Sequence, residues 1–165
     1  NLYLDPGLAF GTGTHATTAL CLMWLDAHPP QGKTVIDFGC GSGILAIAAA
    51  KLGAAQVHAV DHDPQALQAT RDNAAANQVA AHITTYAPAD FPETPADVVL
   101  ANILAGPLID LASRFATLLR TGGDIVLSGV LSEQAETVSA PYKKHFHMQP
   151  PVEQDGWMRL YGKRK

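Results

Sequence analysis

The residues best suited to chemistry in this sequence are three glycines at alternate positions behind an aspartate. They form the segment Asp37-Phe38-Gly39-Cys40-Gly41-Ser42-Gly43, which lies between an apolar run and an alanine-rich run. The first run predicts a strand and the second a helix. Glycine lets the backbone of such a turn approach a ligand closely, and the free N–H groups of a helix start favour a negatively charged group. The segment therefore predicts a cofactor loop that includes Asp37, Gly39, Gly41 and Gly43.

Two nucleotide-type cofactors fit such a loop, and the glycine spacing separates them. The dinucleotide fingerprint G-x-G-x-x-G, counted from Gly39, requires a third glycine where this chain has Ile44. The pattern present is D-x-G-x-G-x-G, which is typical of class I S-adenosylmethionine (SAM) methyltransferases. SAM offers a methionine carboxylate to the same turn in place of a pyrophosphate. A nicotinamide oxidoreductase stays open as the alternative.

An acidic residue ends the next predicted strand. Gln56–Val60 is apolar and is followed by Asp61, at the distance where the ribose hydroxyls of either cofactor need an acceptor. The other role open to Asp61 is to cap the helix that begins at Pro64, although Asp63 is placed to do so. We therefore expect Asp61 to bind the ribose.

Strands and helices alternate along the chain. The predicted helices are His15–Ala27, with Thr14 as its N-cap, Gly43–Gly53, Pro64–Gln78, Pro107–Leu119, and Ser132–Tyr142 with a capping box at Ser132. The predicted strands are Lys33–Phe38, Gln56–Val60, Ala81–Tyr86, Ala96–Ala101, Asp124–Ser128 after a turn at Gly122-Gly123, and His145–Met148 and Trp157–Tyr161, paired as a hairpin around Pro150-Pro151. The pattern predicts an α/β fold with a doubly wound, mostly parallel seven-stranded sheet, helices on both faces and a closing antiparallel hairpin.

Ligands of such sheets bind outside the carboxyl ends of the strands. Three markers fall there, namely the glycine loop, Asp61, and Asn102 after the fourth strand. We expect residues 1–32 to form a loop that covers the cofactor and a leading helix, and residues 33–165 to form the Rossmann-like core. The markers predict one binding site on one rim of the sheet.

The composition of the chain limits the functional classes to which it can belong. The length of 165 residues indicates one domain, and the net charge of −4 argues against general binding of nucleic acid or membrane surfaces. Without a signal segment or a long apolar run, the sequence predicts a cytoplasmic protein. Cys21 and Cys40 lack metal spacing and are expected to be reduced thiols, and the histidines show no ligand pattern, so we expect no metal. Because it begins at Asn1 without methionine, we interpret the chain as a fragment.

Three segments carry a resemblance to a known family: residues 5–15 (D-P-G-L-A-F-G-T-G-T-H), residues 35–45, and residues 102–108 (N-I-L-A-G-P-L). They resemble the ribosomal protein L-eleven methyltransferases, the PrmA type, and the similarity covers nearly the whole chain. The resemblance implies that SAM donates methyl groups to amino groups of a ribosomal protein, at lysine side chains and the amino terminus, leaving S-adenosylhomocysteine. It also implies a small amino-terminal domain that grips the substrate and that this chain lacks.

The resemblance also assigns residues. The cofactor contacts of the family match Thr18, Gly39, Asp61 and Asn102, and the segment that folds over SAM matches the loop of Phe10, Thr14 and His15. Ala16 stands where the family has proline, which removes a fixed φ at a helix start. The residues themselves leave simpler roles open: a packing anchor for Phe10, a loop hydroxyl for Thr14 and a first-turn helix residue for His15.

Asn102 is the candidate catalytic residue. Methyl transfer from a sulfonium requires a neutral amine in line with the methyl carbon, and a lysine of pKa near 10.4 loses its proton at pH 7 at a cost of about 4 to 5 kcal/mol. The side-chain oxygen of Asn102, or a carbonyl of the turn that follows it, is an acceptor that orients an N–H. Ile103 and Leu104 favour an aliphatic amine over a planar group. The alternatives are that Asn102 is only a turn former and that the chain is a non-catalytic SAM-binding module.

Overall fold

The structure is a computed structural model that describes residues 15–165, and it contains an eight-stranded, mostly parallel sheet. The strands are β1 (Thr34–Phe38), β2 (Gln56–Val60), β3 (Ile83–Tyr86), β4 (Ala96–Asn102), β5 (Leu119–Leu131), β6 (Phe146–Met148), β7 (Val152–Gln154) and β8 (Trp157–Arg164). The helices are α1 (Ala16–Ala27), α2 (Ile44–Lys51), α3 (Pro64–Ala76), α4 (Ala105–Leu118) and α5 (Ala135–Tyr142). The strand order is β3-β2-β1-β4-β5-β8-β6, with β7 also paired to β8.

Each face of the sheet carries its own apolar core. Trp24 of α1, Ile47 of α2 and Ala74 of α3 are buried with Val35 and other side chains of one face. Helices α4 and α5 cover the opposite face. Because strands covered on both sides must be apolar throughout, β1, β2 and β4 are short runs of buried residues. The prediction of a doubly wound α/β fold is confirmed.

The fifth strand is longer than the sequence predicted. The expected turn at Gly122-Gly123 lies within β5, where the pairing with β4 jumps from Ala96↔Leu119 to Val98↔Asp124. The residues between these pairs bulge out of the ladder, and Gly122 takes a φ of 82° there. Helix α4 starts earlier than predicted, at Ala105.

The carboxyl-terminal strands are arranged differently from the predicted hairpin. The tight hairpin joins β7 to β8, with the positive φ angles of Asp155 (54°) and Gly156 (82°) at its turn. Such a pair of residues suits a type I′ turn. Strand β6 pairs instead with the far half of β8, as Phe146↔Arg164 shows. Pro150-Pro151 separates β6 from β7, because proline has no N–H to donate to a ladder.

Two helix starts also differ from the prediction. The N-cap of α1 is His15, whose side chain accepts from the backbone N–H of Thr17, and Thr14 lies outside the described residues. The capping box expected at Ser132 is not formed by that residue, since its hydroxyl donates to the carbonyl of Gly156 and a short 3₁₀ turn precedes α5. Among residues 15–165 no helix is long and apolar enough to cross a membrane.

Candidate functional site

A cavity of about 650 Å³ opens above the carboxyl ends of the parallel strands. This volume is within the range of about 300 to 1,000 Å³ that small-molecule sites occupy. Its walls come from the turns after β1, β2, β3 and β4, the starts of α1 and α4, the carboxyl-terminal part of β5, and the start of β8. The lining residues are His15, Thr17, Phe38, Gly39, Gly41, Val60, Asp61, His62, Pro88, Asn102, Ile103, Leu104, Pro107, Leu111, Gly129 and Trp157.

The three glycines of the loop meet different constraints. All have positive φ, 83° at Gly39, 54° at Gly41 and 86° at Gly43. A Cβ on Gly39 would overlap the side chain of Ile103, and one on Gly43 would lie 2.9 Å from side-chain atoms of Thr70. A Cβ on Gly41 would meet no atom within 4 Å. Gly39 and Gly41 line the cavity, whereas Gly43 packs the start of α2 against α3.

Asp37 lies beneath the loop and outside the cavity lining. Its carboxylate is buried, and it accepts the backbone N–H of Ala46 in the first turn of α2 at 3.1 Å. Burial raises the pKa of Asp37 to about 7; the Ala46 hydrogen bond lowers it and the charge of Asp61 raises it further. The geometry gives Asp37 the role of joining β1 to α2, and direct cofactor contact by Asp37 stays a prediction.

Asp61 is held in place at the end of β2 by backbone hydrogen bonds. Its Oδ2 accepts the N–H of Gly41 at 3.0 Å, and its Oδ1 accepts the N–H of Asp63 at 2.9 Å. The cap of α3 is Asp63, whose carboxylate accepts from Gln65, so the capping role considered for Asp61 is wrong. Each oxygen of Asp61 keeps acceptor capacity for a further partner. The carboxylate is therefore oriented at the cavity wall and can accept hydroxyl groups of a ligand.

Asn102 ends β4 at the centre of the cavity rim. Its amide nitrogen donates to Thr18 Oγ1 over a long 3.4 Å contact. Thr18 itself is buried behind Asn102 and does not line the cavity. The amide oxygen of Asn102 accepts no hydrogen bond from the described part of the chain. The donor end of the amide is thus anchored, and its oxygen is left without a partner among residues 15–165.

Thr17 is a cavity residue that sequence reasoning missed. His15 Nδ1 accepts the backbone N–H of Thr17 at 3.2 Å and lies 2.7 Å from Thr17 Oγ1. A nitrogen that accepts an N–H carries no proton, so the Thr17 hydroxyl must donate to it. The hydroxyl oxygen then keeps lone pairs for a further partner, and Thr17 is among the residues that line the cavity. The spacing of His15 as N-cap and Thr17 as the second helical residue was the available signal.

The other cavity residues that the sequence did not indicate are mostly apolar, with His62 as a polar one. Trp157, Pro107 and Leu111 line the β5 side of the cavity, and Pro88 lies on the β2 side. Leu104 stands at the rim with 73% of its surface exposed. Of the predicted residues, Gly39, Gly41, Asp61, Asn102 and His15 come together here, and Phe10 and Thr14 lie outside the described residues.

The two cysteines and the possible metal ligands were considered for roles in catalysis. Cys21 and Cys40 are free and buried, and burial raises the pKa of the Cys21 thiol to about 12. Such thiols are poor nucleophiles, because the thiolate is the reactive form. Within residues 15–165 no group of three or more His, Cys, Asp or Glu side chains is arranged to hold a metal ion.

Comparisons with known proteins agree on one family. The family model described as ribosomal protein L11 methyltransferase (PrmA) matches residues 1–165. The chain is 58% identical to the ribosomal protein L11 methyltransferase of Pseudomonas aeruginosa, covering 100% of this chain and 56% of that protein. The corresponding protein of Azotobacter vinelandii is also 58% identical, with 100% and 57% covered. The chain therefore spans little more than half the length of these relatives.

A solved structure adds a comparison of the folds. The crystal structure of the ribosomal protein L11 methylase from Lactobacillus delbrueckii subsp. bulgaricus superposes with a TM-score of 0.89 at 36% sequence identity. The alignment covers 98% of this chain and 84% of that one.

Proposed function

Because the chain belongs to the ribosomal protein L11 methyltransferase family, we propose that it forms the SAM-binding catalytic part of such an enzyme. In this proposal it transfers methyl groups from SAM to amino groups of ribosomal protein L11, at lysine side chains and the amino terminus. A cytoplasmic location and a ribosomal protein partner belong to the same proposal.

The observation that carries this proposal is that two groups of polar side chains line one cavity. At the first end, which we assign to the cofactor, the carboxylate of Asp61 accepts the N–H of Gly41. At the second, which we assign to the amine, Asn102 and Thr17 line the same space. A ligand with hydroxyl groups at one end and a reactive centre at the other fits this donor set.

The residues present fit SAM. Asp61 would accept the ribose hydroxyls, and the open space beside Gly41 leaves room for the ligand to approach the loop backbone. Pro88 and Val60 add apolar wall on the same side, which suits an adenine ring. When bound, SAM supplies a methyl group activated by a sulfonium.

The chain's own residues would then position the amine. A neutral amine keeps N–H groups, and Asn102 Oδ1 and Thr17 Oγ1 are acceptors that orient them. Orientation of this kind supplies most of what an in-line displacement requires. Ile103, Leu104 and Pro107 form an apolar approach that suits the methylene chain of a lysine.

The nicotinamide alternative is less well supported. Ile44, at the position of the third glycine in the dinucleotide fingerprint, is a buried core residue at the start of α2. Parallel calorimetric titrations with SAM and NAD test the choice: we expect SAM to bind and NAD not to. Incubation of the full-length protein with SAM and ribosomal protein L11, followed by mass spectrometry, tests the reaction. Binding of SAM without transfer by the full-length protein would favour the non-catalytic module, and binding of NAD alone would refute the proposal.

A further inference from the structure

An aromatic pair stands at the amine end of the cavity. Trp157 and His15, here called the aromatic wall, both line the cavity, and their ring centroids are 5.5 Å apart at an interplanar angle of 60°. Because of this angle, the two rings are not stacked face to face. The resemblance places His15 in the segment that covers SAM, whereas Trp157 has no role in holding SAM in the proposal above.

The fold places the aromatic wall beside Asn102. Asn102 pairs with Ser128 across β4 and β5, and Trp157 pairs with Leu131 at the end of the same strand β5. Two strand spacings of about 4.8 Å separate β4 from β8, and Ser128 and Leu131 are three residues apart along β5, so the backbones of Asn102 and Trp157 lie roughly 14 Å apart. A substituted amine held by Asn102 therefore lies within reach of the indole. The tight turn at Asp155-Gly156 fixes the start of β8, and with it Trp157.

The described residues at the amine end of the cavity include no acidic side chain, which is unusual for a site that binds a cation. The one carboxylate among the described lining residues is Asp61, which lies at the end of β2. Four strand spacings separate β2 from β8, or roughly 19 Å, which exceeds the Debye length of about 8 Å at physiological salt. The guanidinium of Arg159 lies over the ring of Tyr161, further along β8. Among residues 15–165 that line the cavity, no carboxylate other than that of Asp61 is available to an ammonium group at the amine end.

Successive methylation changes what an amine can bind. Each methyl group replaces an N–H, so the acceptors Asn102 Oδ1 and Thr17 Oγ1 lose partners as the reaction proceeds. The positive charge stays and the apolar surface grows. The face of an indole attracts such cations through its quadrupole, and tryptophan is the best of the aromatic side chains for this.

We propose that the aromatic wall binds the methylated ammonium group by cation–π contact and so retains a partly methylated amine for further rounds. This inference rests on the proposed function, because it concerns the amine end of the same site. In this inference Trp157 influences the number of methyl groups that are added, whereas Asn102 orients the amine.

The experiment measures the charge preference of the site directly. The chain is saturated with S-adenosylhomocysteine and titrated by calorimetry with Nα-acetyl-trimethyllysine amide and with its uncharged isostere, in which carbon replaces the quaternary nitrogen. We expect the charged probe to bind about five- to thirty-fold more tightly. Trp157→Phe should keep most of the preference, and Trp157→Leu should abolish it. Val152→Ala, an exposed change in the same β7–β8 hairpin, should leave the preference intact.

The outcomes separate this inference from the function on which it rests. Failure of S-adenosylhomocysteine to bind would contradict the proposed function and the aromatic wall together. Tight S-adenosylhomocysteine binding with equal affinity for both probes, or with no binding of either, would overturn the aromatic wall alone. The comparison of probes on the unaltered chain decides the question even if Trp157→Leu does not fold.

Discussion

The backbone of Ile103 lies directly against Gly129. A Cβ on Gly129, whose φ is 89°, would overlap the carbonyl oxygen of Ile103 and would lie 3.0 Å from its carbonyl carbon. Gly39 meets the side chain of the same isoleucine from the other side. The turn that follows Asn102 is therefore set between two glycines, which belong to the ends of β1 and β5. The position of the Asn102 amide depends on both.

Gly129→Ala should both destabilise the fold and misplace Asn102. A left-handed φ is costly for alanine and the new methyl group displaces a backbone carbonyl, so we expect a loss of roughly 2 to 4 kcal/mol in the free energy of unfolding. We also expect turnover to fall more than SAM affinity, because the glycine loop lies two strands away and Asp61 three. Urea unfolding and calorimetry check the two parts.

Gly106→Ala is the matched control. Gly106 lies inside α4, and an added Cβ there meets no atom within 4 Å. Alanine is favoured over glycine in a helix by up to about 1 kcal/mol, so this variant should be as stable as the original chain or more so. If Gly129→Ala behaved like Gly106→Ala, the dependence of Asn102 on Gly129 would be refuted.

The parts of the site that could be predicted from the sequence are formed by residues that lie close together in the chain. The strand, the glycine turn and the helix after it lie within residues 33–53, and Asp61 directly follows a strand, so short-range patterns were sufficient. Trp157 could not be found in this way. Trp157 reaches the cavity only because β8, which lies near the end of the sequence, pairs antiparallel with β5. Such pairing between distant segments leaves no periodic signal in the sequence.

Two wrong predictions have a common physical cause. The predicted hairpin turn at Pro150-Pro151 is wrong, and the tight turn is formed by Asp155-Gly156, although D-G is a strong hairpin signal in the sequence. The turn expected at Gly122-Gly123 became a bulge because β5 continues to pair with β4 on either side of it. In both cases tertiary pairing decided between turn residues that were equally good locally.

Asp61→Ala should weaken SAM binding by roughly 10- to 100-fold. The variant loses charge-assisted hydrogen bonds to the ribose, each worth about 1.5 to 3 kcal/mol, and it also frees the N–H of Gly41 that the carboxylate now holds. Asp63→Ala is the control, since it removes a neighbouring carboxylate that caps α3 and does not line the cavity. We expect Asp63→Ala to reduce stability while SAM affinity stays within a few-fold. Unchanged SAM affinity in a folded Asp61→Ala protein would refute the prediction that Asp61 binds the ribose.

Asn102→Ala should lower the rate of methyl transfer by about ten- to a thousand-fold and weaken SAM less, because a lost orienting hydrogen bond acts mainly in the transition state. Single-turnover rates with bound SAM and calorimetric affinities separate the two effects. Thr18→Val removes the acceptor of the Asn102 amide nitrogen and leaves the amide oxygen in place. The rate should therefore fall less in Thr18→Val than in Asn102→Ala. A loss of SAM affinity alone would make Asn102 a cofactor ligand only.

The buried carboxyl of Asp37 should make the stability of the fold depend on pH. Burial raises the pKa of Asp37 from 3.8 to about 7, so between these values the folded chain binds a proton that the unfolded chain has lost. The free energy of unfolding must then decrease as pH rises from about 4 to about 7, and above pH 7 the stabilisation by this proton is gone. The shift corresponds to at most roughly 4 kcal/mol.

Asp37→Asn should remove this dependence, because an amide keeps an oxygen for the N–H of Ala46 and carries no charge at any pH. In urea unfolding we expect the variant to be more stable than the original chain by roughly 1 to 2 kcal/mol at pH 5 and by about 4 kcal/mol at pH 8. Asp37→Ala leaves the Ala46 N–H without its acceptor and should be less stable than Asp37→Asn at both pH values. If the difference between the original chain and Asp37→Asn were the same at pH 5 and pH 8, the carboxyl of Asp37 would not take up its proton in this range.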